Sequence, residues 1–335
     1  MSVNHLLGTN GTGPGHGIWR VSATDLSSWS QAVPELVAEA PAPTYLAIHP
    51  SAERVYAVGE GADGTVASFD IRADCSLRRT ARVATGGSSA CHVLVHPWGQ
   101  WLYVANYGNG VACAVRLDEA GDVTDEVILL PHQGSGPVSD RQDHPHAHFC
   151  ALSEGGGWLL VADLGTDHLR AYPLENGRPV EPPVLTELPA GCGPRHVASR
   201  AGYLYVAGEL SGEVLTLSWD EGTGQGQVLH QEAASGAEGL HQLSHIERRG
   251  NFLYVGVRGT DTLSTLEIAA DGASVRRVAE VSTAAWPRHH AVTEDAVIVA
   301  GQHADQLAVH PLVDGIPAEI VTELELPAPM CVLPL

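Results

Sequence analysis

Leu102-Tyr103-Val104-Ala105-Asn106-Tyr107-Gly108 is a short run of bulky and β-branched residues that ends in a small residue and a turn. The same pattern recurs in Val55-Tyr56-Ala57-Val58-Gly59-Glu60, Leu159-Leu160-Val161-Ala162-Asp163-Leu164-Gly165, Leu204-Tyr205-Val206-Ala207-Gly208-Glu209, Leu253-Tyr254-Val255-Gly256-Val257-Arg258-Gly259 and Val297-Ile298-Val299-Ala300-Gly301-Gln302. Consecutive copies begin 44 to 57 residues apart. A period of that size, built only of β-type runs, marks a propeller blade and not a helical solenoid.

Working outward, each run follows another short strand, such as His92-Val93-Leu94-Val95 or His196-Val197-Ala198-Ser199, and precedes one like Gly110-Val111-Ala112-Cys113-Ala114-Val115. The N-terminal Leu6-Leu7-Gly8-Thr9-Asn10, followed by Gly17-Ile18-Trp19-Arg20-Val21, is a seventh copy without a leading strand. Met330-Cys331-Val332-Leu333 supplies that strand from the other end of the chain. The expected fold is an all-β, seven-bladed β-propeller, closed by a C-terminal strand that completes blade one and leaves no exposed edge. With no linker or break in composition, residues 1–335 read as one domain.

Composition narrows the function. Of the 335 residues, 39 are acidic and 18 basic, a formal charge of −21, and every basic residue is arginine. Such a balance argues against nucleic-acid binding, which needs a basic face. Without lysine there is neither Schiff-base catalysis nor a P-loop. No apolar stretch is long enough to span a bilayer, and Met1-Ser2-Val3-Asn4-His5-Leu6-Leu7-Gly8 lacks a basic region ahead of a long apolar run. No signal peptide or membrane partner is expected, and the cytosol is the default compartment. Six dispersed cysteines read as reduced and mostly buried. No GxSxG elbow and no GxGxxG between strand and helix is present, so neither a serine hydrolase nor a dinucleotide cofactor is indicated.

In a propeller the first strand of each blade is innermost and the second runs back beside it, so the start of one and the end of the other share a face. The second-strand ends are Asn10, Glu60, Tyr107, Leu164, Glu209, Arg258 and Gln302. The first-strand starts are approximately Thr44, Cys91, His148, Arg195, His245, Arg288 and Met330. Three arginines, two glutamates and two histidines gathered at one mouth indicate a site for a small anionic ligand. The bland alternative is structural ion pairing or solvated channel lining. Asp143-His144-Pro145-His146-Ala147-His148 contains metal-ligand residue types at strand spacing. With a proline in its middle and no HExxH elsewhere, it reads instead as a loop leading to the channel, with only His148 reaching it; no metal or cofactor is expected. Cys91 beside His92 leaves a minor opening for thiol chemistry. Trp98, Trp101 and Trp158 read as blade packing.

Pro145-His146-Ala147-His148, Asp163-Leu164-Gly165-Thr166-Asp167, Gly193-Pro194-Arg195-His196, Gly208-Glu209-Leu210, Arg258-Gly259-Thr260-Asp261, Pro287-Arg288 and Pro329-Met330-Cys331-Val332 together resemble the seven-bladed propeller lactonases, which include a 6-phosphogluconolactonase and the carboxy-cis,cis-muconate cyclase. The resemblance spans nearly the whole chain. It implies that a pocket histidine, two arginines and a glutamate fall on His148, Arg195, Arg258 and Glu209. The family pattern usually has asparagine where Gly208 and Val257 stand, its turn between Arg195 and Glu209 is longer, and blade five often carries an acidic residue where this chain has Ser244-His245-Ile246.

Hydrolysis of a lactone needs an activated water and a place for charge on the carbonyl oxygen. Glu209 or His148 is the expected base and Arg195 or Arg258 the oxyanion partner. If Glu209 is paired between arginines its pKa falls and the base role passes to His148. Arg288 with the remaining arginine would grip a phosphate, while Glu60, His146, His245 and Gln302 are expected substrate contacts. The expected partner is a small, anionic lactone of the 6-phosphogluconolactone type, in the pentose phosphate pathway. Muconate-type cyclisation, an unphosphorylated lactone, and a non-catalytic binding propeller are the alternatives. An enzyme requires the four site residues to converge on one small pocket, whereas a scaffold would show a broad, partly apolar top.

Overall fold

A computed structural model describes residues 3–13 and 15–335; the first two residues of the N-terminal segment read for targeting lie outside it. Seven antiparallel sheets follow one another around a ring. Blade 3 shows the unit: Ala90–Val95 innermost, then Trp101–Asn106, Val111–Leu117 and Val123–Pro131. Blades 2, 4, 5, 6 and 7 repeat it over residues 46–84, 147–187, 194–233, 241–282 and 287–325. Blade 1 is built from both ends of the chain. Its innermost strand is Pro329–Pro334, hydrogen-bonded to Val3–Thr9, which leads out to Gly17–Ala23 and Glu35–Glu39. Among the described residues the one helix is a 3-10 turn, Leu26–Gln31, capped by Asp25, and no helix is long and apolar enough to cross a membrane.

β-Branched and aromatic residues alternate with alanine along the second and third strands, which suits a pleated surface buried on both sides. The cores lie between neighbouring blades. Tyr103 and Ala105 of blade 3, for example, pack against Cys150, Leu159 and Val161 of blade 4. The tyrosine at the second position of several repeats adds a polar pin. Its ring is buried at the joint while its hydroxyl donates to an outer-turn carbonyl of the next blade: Tyr56 to Gly121 O (2.5 Å), Tyr103 to Gly177 O (2.7 Å), Tyr205 to Gly272 O (3.0 Å) and Tyr254 to Gly315 O (2.7 Å). Blades 4, 7 and 1 carry Leu160, Ile298 and Leu7 there and have no such pin.

The six cysteines are free thiols, five of them buried. Trp101 is buried in the blade 3–4 core and Trp158 meets Trp219 edge-on. Trp98 is a correction to the packing expectation: it stands exposed on a turn beside the His96 ring.

Candidate active site

Two repeated backbone devices aim side chains at the axis. In six blades the residue just past the second strand donates its N–H to a carbonyl just ahead of the first strand: Asn10 to Ala328, Glu60 to Ala42, Tyr107 to Ser89, Leu164 to His146, Glu209 to Gly193 and Gln302 to Trp286, all at 2.8–3.1 Å. A β-bulge near the start of the first strand then turns an extra residue inward, as bulges do. The bulges hold Cys91, His148, Arg195-His196, Ser244-His245, Arg288 and Met330.

These residues surround a cavity of about 360 Å³ at the top of the channel, lined by Asn10, Glu60, Cys91, Tyr107, His148, Glu209, Arg258, Arg288, Gln302 and Met330 among the expected positions. Arg195 lies just beneath, on a narrow cleft shared with Thr44, Glu60 and Arg288. Leu164 is fully buried and off the cavity.

Two expected substrate contacts are placed elsewhere. His245 is one residue too deep, because the bulge puts Ser244 in register with Arg195 and Cys91. Ser244 bonds Pro287 O and Gly256 O instead of facing the cavity, and Gln242 lines it from blade 6. His146 stands behind the wall, stacked on Tyr107 with ring centroids 4.3 Å apart.

Three lining residues were not anticipated: Gln242, Trp286 and Arg141. Arg141 comes from the 132–146 connection, held down by Gln142, whose amide donates to Leu164 O and to Asp167 Oδ1. From there the Arg141 guanidinium donates to Glu209 Oε1 at 2.6 Å. Glu209 is thus the hub of the site, since its other oxygen meets Arg195 Nε at 2.9 Å and Arg258 Nη2 at 2.7 Å. Burial alone would raise the Glu209 carboxyl, but Arg258 and Arg195, with the hydrogen bond from Arg141, hold it well below the usual carboxylate range. Arg258 is braced further by Leu243 O at 2.9 Å and by the Trp286 ring, 5.4 Å away.

Four arginines against Glu60 and Glu209 leave the site with surplus positive charge. Arg288 makes no ion pair among the described residues. Burial, reinforced by Arg195, pushes the His148 imidazole well below its ordinary value, so it is neutral, and its Nδ1 has no partner. Burial pushes the Cys91 thiol up to about 12, which removes a thiolate nucleophile at neutral pH.

One position deeper along each first strand, a second layer plugs the channel: Tyr45, His92, Phe149, His196, His245, His289 and Cys331. Their rings touch in sequence, with His92–Phe149 at 4.0 Å, Phe149–His196 at 4.3 Å, His196–His245 at 5.0 Å and His245–His289 at 3.9 Å. Arg195 Nη1 lies 3.0 Å from His196 Nε2. A guanidinium only donates, so His196 accepts there, carries its proton on Nδ1, and donates to His245 Nδ1 at 2.8 Å. That fixes the proton of His245 on Nε2.

With this geometry in place, comparison with known proteins is informative. The family model for the seven-bladed β-propeller lactonases matches residues 4–334. A 6-phosphogluconolactonase of Bacillus subtilis is 29% identical over 322 residues, covering 90% of this chain and 89% of its own. Among solved structures, a periplasmic gluconolactonase of Pseudomonas aeruginosa superposes with a TM-score of 0.89 at 25% identity, covering 100% of this chain and 99% of the other. A protein from Lactobacillus plantarum gives a TM-score of 0.91 at 26% identity, covering all of both chains.

Proposed function

Because the chain belongs to the seven-bladed β-propeller lactonase family, we propose that this lactonase adds water to an anionic sugar lactone of the 6-phosphogluconolactone type. The observation that carries the reading is the surplus of guanidinium groups in a cavity of about 360 Å³, sized for one small molecule. His148 takes a proton from water as the water oxygen bonds to the lactone carbonyl carbon. Arg258, oriented by Glu209 and Leu243 O, holds the oxygen on which charge develops. Collapse of the adduct breaks the ring C–O bond, and the imidazolium of His148 returns the proton to the departing ring oxygen. Glu209 has both oxygens engaged by three arginines, whereas His148 Nδ1 has no partner, so Glu209 serves to place the arginines. Arg288 is the phosphate anchor, and Glu60 and Gln302 are positioned for sugar hydroxyls.

The test is hydrolysis of 6-phosphogluconolactone and of gluconolactone, each corrected for spontaneous opening, by the wild type and Arg288→Ala. A phosphate-selective rate is expected, with KM for the phosphorylated lactone raised about tenfold or more in the variant. Equal rates on both lactones would favour an unphosphorylated substrate, a reading supported by the gluconolactonase among the similar structures. No acceleration of either would overturn the proposal.

His196 tests how Arg195 is held. His196→Phe puts at blade 5 the residue that blade 4 already has in this layer, Phe149, but removes the acceptor for Arg195 Nη1. An orphaned buried donor costs about 1–3 kcal/mol, so the thermal midpoint is expected to fall, and kcat/KM to fall about tenfold or more as Arg195 loses its anchor. Steady-state kinetics and a melt on the same sample check this; unchanged kinetics would show that Arg195 does not depend on His196.

A further inference from the structure

Among the described residues, two groups of side chains outside the cavity have the residue types of a metal site: His245, Glu247 and His290 in the channel, and Asp143, His144 and His146 beside the mouth. Hydrogen bonding separates them. In the channel group, His245 Nε2 carries the ring proton and faces Glu247 Oε2 across 4.0 Å, so it has no lone pair to give.

The group beside the mouth is arranged the opposite way. His144 Nε2 lies 3.1 Å from Gly108 O and His146 Nδ1 lies 2.7 Å from Tyr107 O. Carbonyls only accept, so each ring spends its proton on the backbone and keeps its lone pair on the other nitrogen. Those two nitrogens, His144 Nδ1 and His146 Nε2, face one carboxylate, at 2.9 Å from Asp143 Oδ2 and 3.6 Å from Asp143 Oδ1. Lone pairs set against a carboxylate repel unless a cation lies between them. Donation of the second imidazole N–H to a backbone carbonyl is also what fixes the tautomer of metal-binding histidines.

We propose that Asp143, His144 and His146 form a three-ligand site for a divalent metal of the zinc type on the rim of the cavity. A tetrahedral ion with bonds of about 2.0–2.1 Å sets neighbouring ligand atoms about 3.3–3.4 Å apart. Each imidazole nitrogen lies near that distance from a different oxygen of Asp143, 2.9 and 3.6 Å, and one ligand atom from each of the three residues lies within 4.8 Å of the others, so a small shift of the exposed carboxylate closes the site around an ion. Two imidazoles select zinc and its transition-metal neighbours over calcium or magnesium. Asp143 and His144 have side chains 62% and 42% exposed, so an ion enters from solvent and keeps a fourth position for water. The segment is held from behind at Gly165, where a Cβ would stand 2.0 Å from His144 O and 2.9 Å from the His146 ring. Asp143 is two residues from Arg141, and His146 backs the cavity wall at Tyr107. Metal binding therefore ties down the loop that delivers Arg141.

The proposal is tested on untagged protein stripped with chelator. Zinc chloride is titrated calorimetrically, and cobalt(II) is titrated while visible absorption is followed, for the wild type, Asp143→Ala, His144→Ala and the double variant. Expected are one equivalent bound, the strong visible bands of a tetrahedral cobalt site, and at least tenfold weaker binding in each single variant. Both substituted positions are solvent-exposed, and matching melts establish that the variants fold. No saturable binding, or binding retained in the double variant, would overturn the proposal, as it would place a proton or another histidine site in this role.

Discussion

Glu209→Gln is expected to be the most damaging single substitution in the site, worse than loss of any one arginine. The carboxylate takes Arg141 on one oxygen and Arg195 and Arg258 on the other. Removing one guanidinium leaves the other two ion pairs in place. Removing the charge leaves Arg141, Arg195, Arg258 and Arg288 facing one another with Glu60 as the remaining carboxylate of the cavity, and points an amide N–H₂ at donors. Loss of one partner from a buried ion pair costs about 3–5 kcal/mol. Since the variant also misplaces the group proposed to hold the oxyanion, kcat is expected to fall about 10²- to 10³-fold in the molecules that remain folded. Urea unfolding and initial rates of lactone opening, with Arg258→Gln as the milder comparison, check both. Equal stability of the two variants would mean that Glu209 is not the hub.

The second large effect is on acid stability. Six histidines lie fully buried around the axis: His92, His148, His196, His245, His289 and His290. Burial is the leading reason each is pushed below the ordinary value of 6.5, with Arg195 or neighbouring imidazoles adding to it in most of them. For His290 the value reaches about 3. The folded chain keeps these rings neutral, while the unfolded chain protonates them as pH drops through about 6.5. Below that pH the unfolded state binds more protons, so stability falls with falling pH. At about 1.4 kcal/mol per proton per pH unit, six rings account for about 8 kcal/mol between pH 7.5 and 5.5. That is comparable to the whole stability of an ordinary domain, about 5–15 kcal/mol. Denaturant midpoints measured across this range should therefore fall steeply, with a slope of about six protons or more below pH 6, since burial lowers His5, His96, His132 and His310 as well. The slope should lose about one proton in His196→Phe. A flat profile between pH 7.5 and 5.5 would contradict the neutral histidine layer. Asp163, held down by His132, His146 N–H and Arg170 against its burial, contributes only at lower pH.

The ring of blades was legible because its cause is periodic: a bulky run ending at a small residue and a turn, repeated with strand alternation. Even the crossing of the chain ends in blade 1 follows from a missing strand at one end and a spare one at the other. Radial position was legible for the same reason, and Glu60, Glu209, Arg258, Arg288 and His148 all reach the cavity. Depth was less so. The bulges shift six of the seven first strands by one residue where side chains turn inward, so His245 falls into the plug layer. The clue was present in the fourfold pairing of a bulge residue with histidine, Cys91-His92, Arg195-His196, Ser244-His245 and Arg288-His289. Arg141 belongs to no repeat. Its signal was the 15-residue connection 132–146, against four to seven residues between Ala84 and Ala90, Glu187 and Pro194, Ala233 and His241, and Ser282 and Pro287. Which tautomer each histidine adopts depends on carbonyls distant in sequence and could not be read from residue types.

The tyrosine pins divide the ring unevenly. They join blades 2, 3 and 4 into one arc and blades 5, 6 and 7 into another, with blade 1 as an unpinned keystone. His148 and the loop bearing Arg141 belong to the first arc, and Arg195, Glu209, Arg258 and Arg288 to the second. At the joint between blades 4 and 5, where the two arcs meet, a tryptophan replaces the tyrosine, the Trp158 indole N–H donating to Glu221 O at 2.8 Å on the outer side. The Arg141–Glu209 pair spans the same joint on the cavity side, so the contact that neutralises the carboxylate also ties the two arcs together at the site.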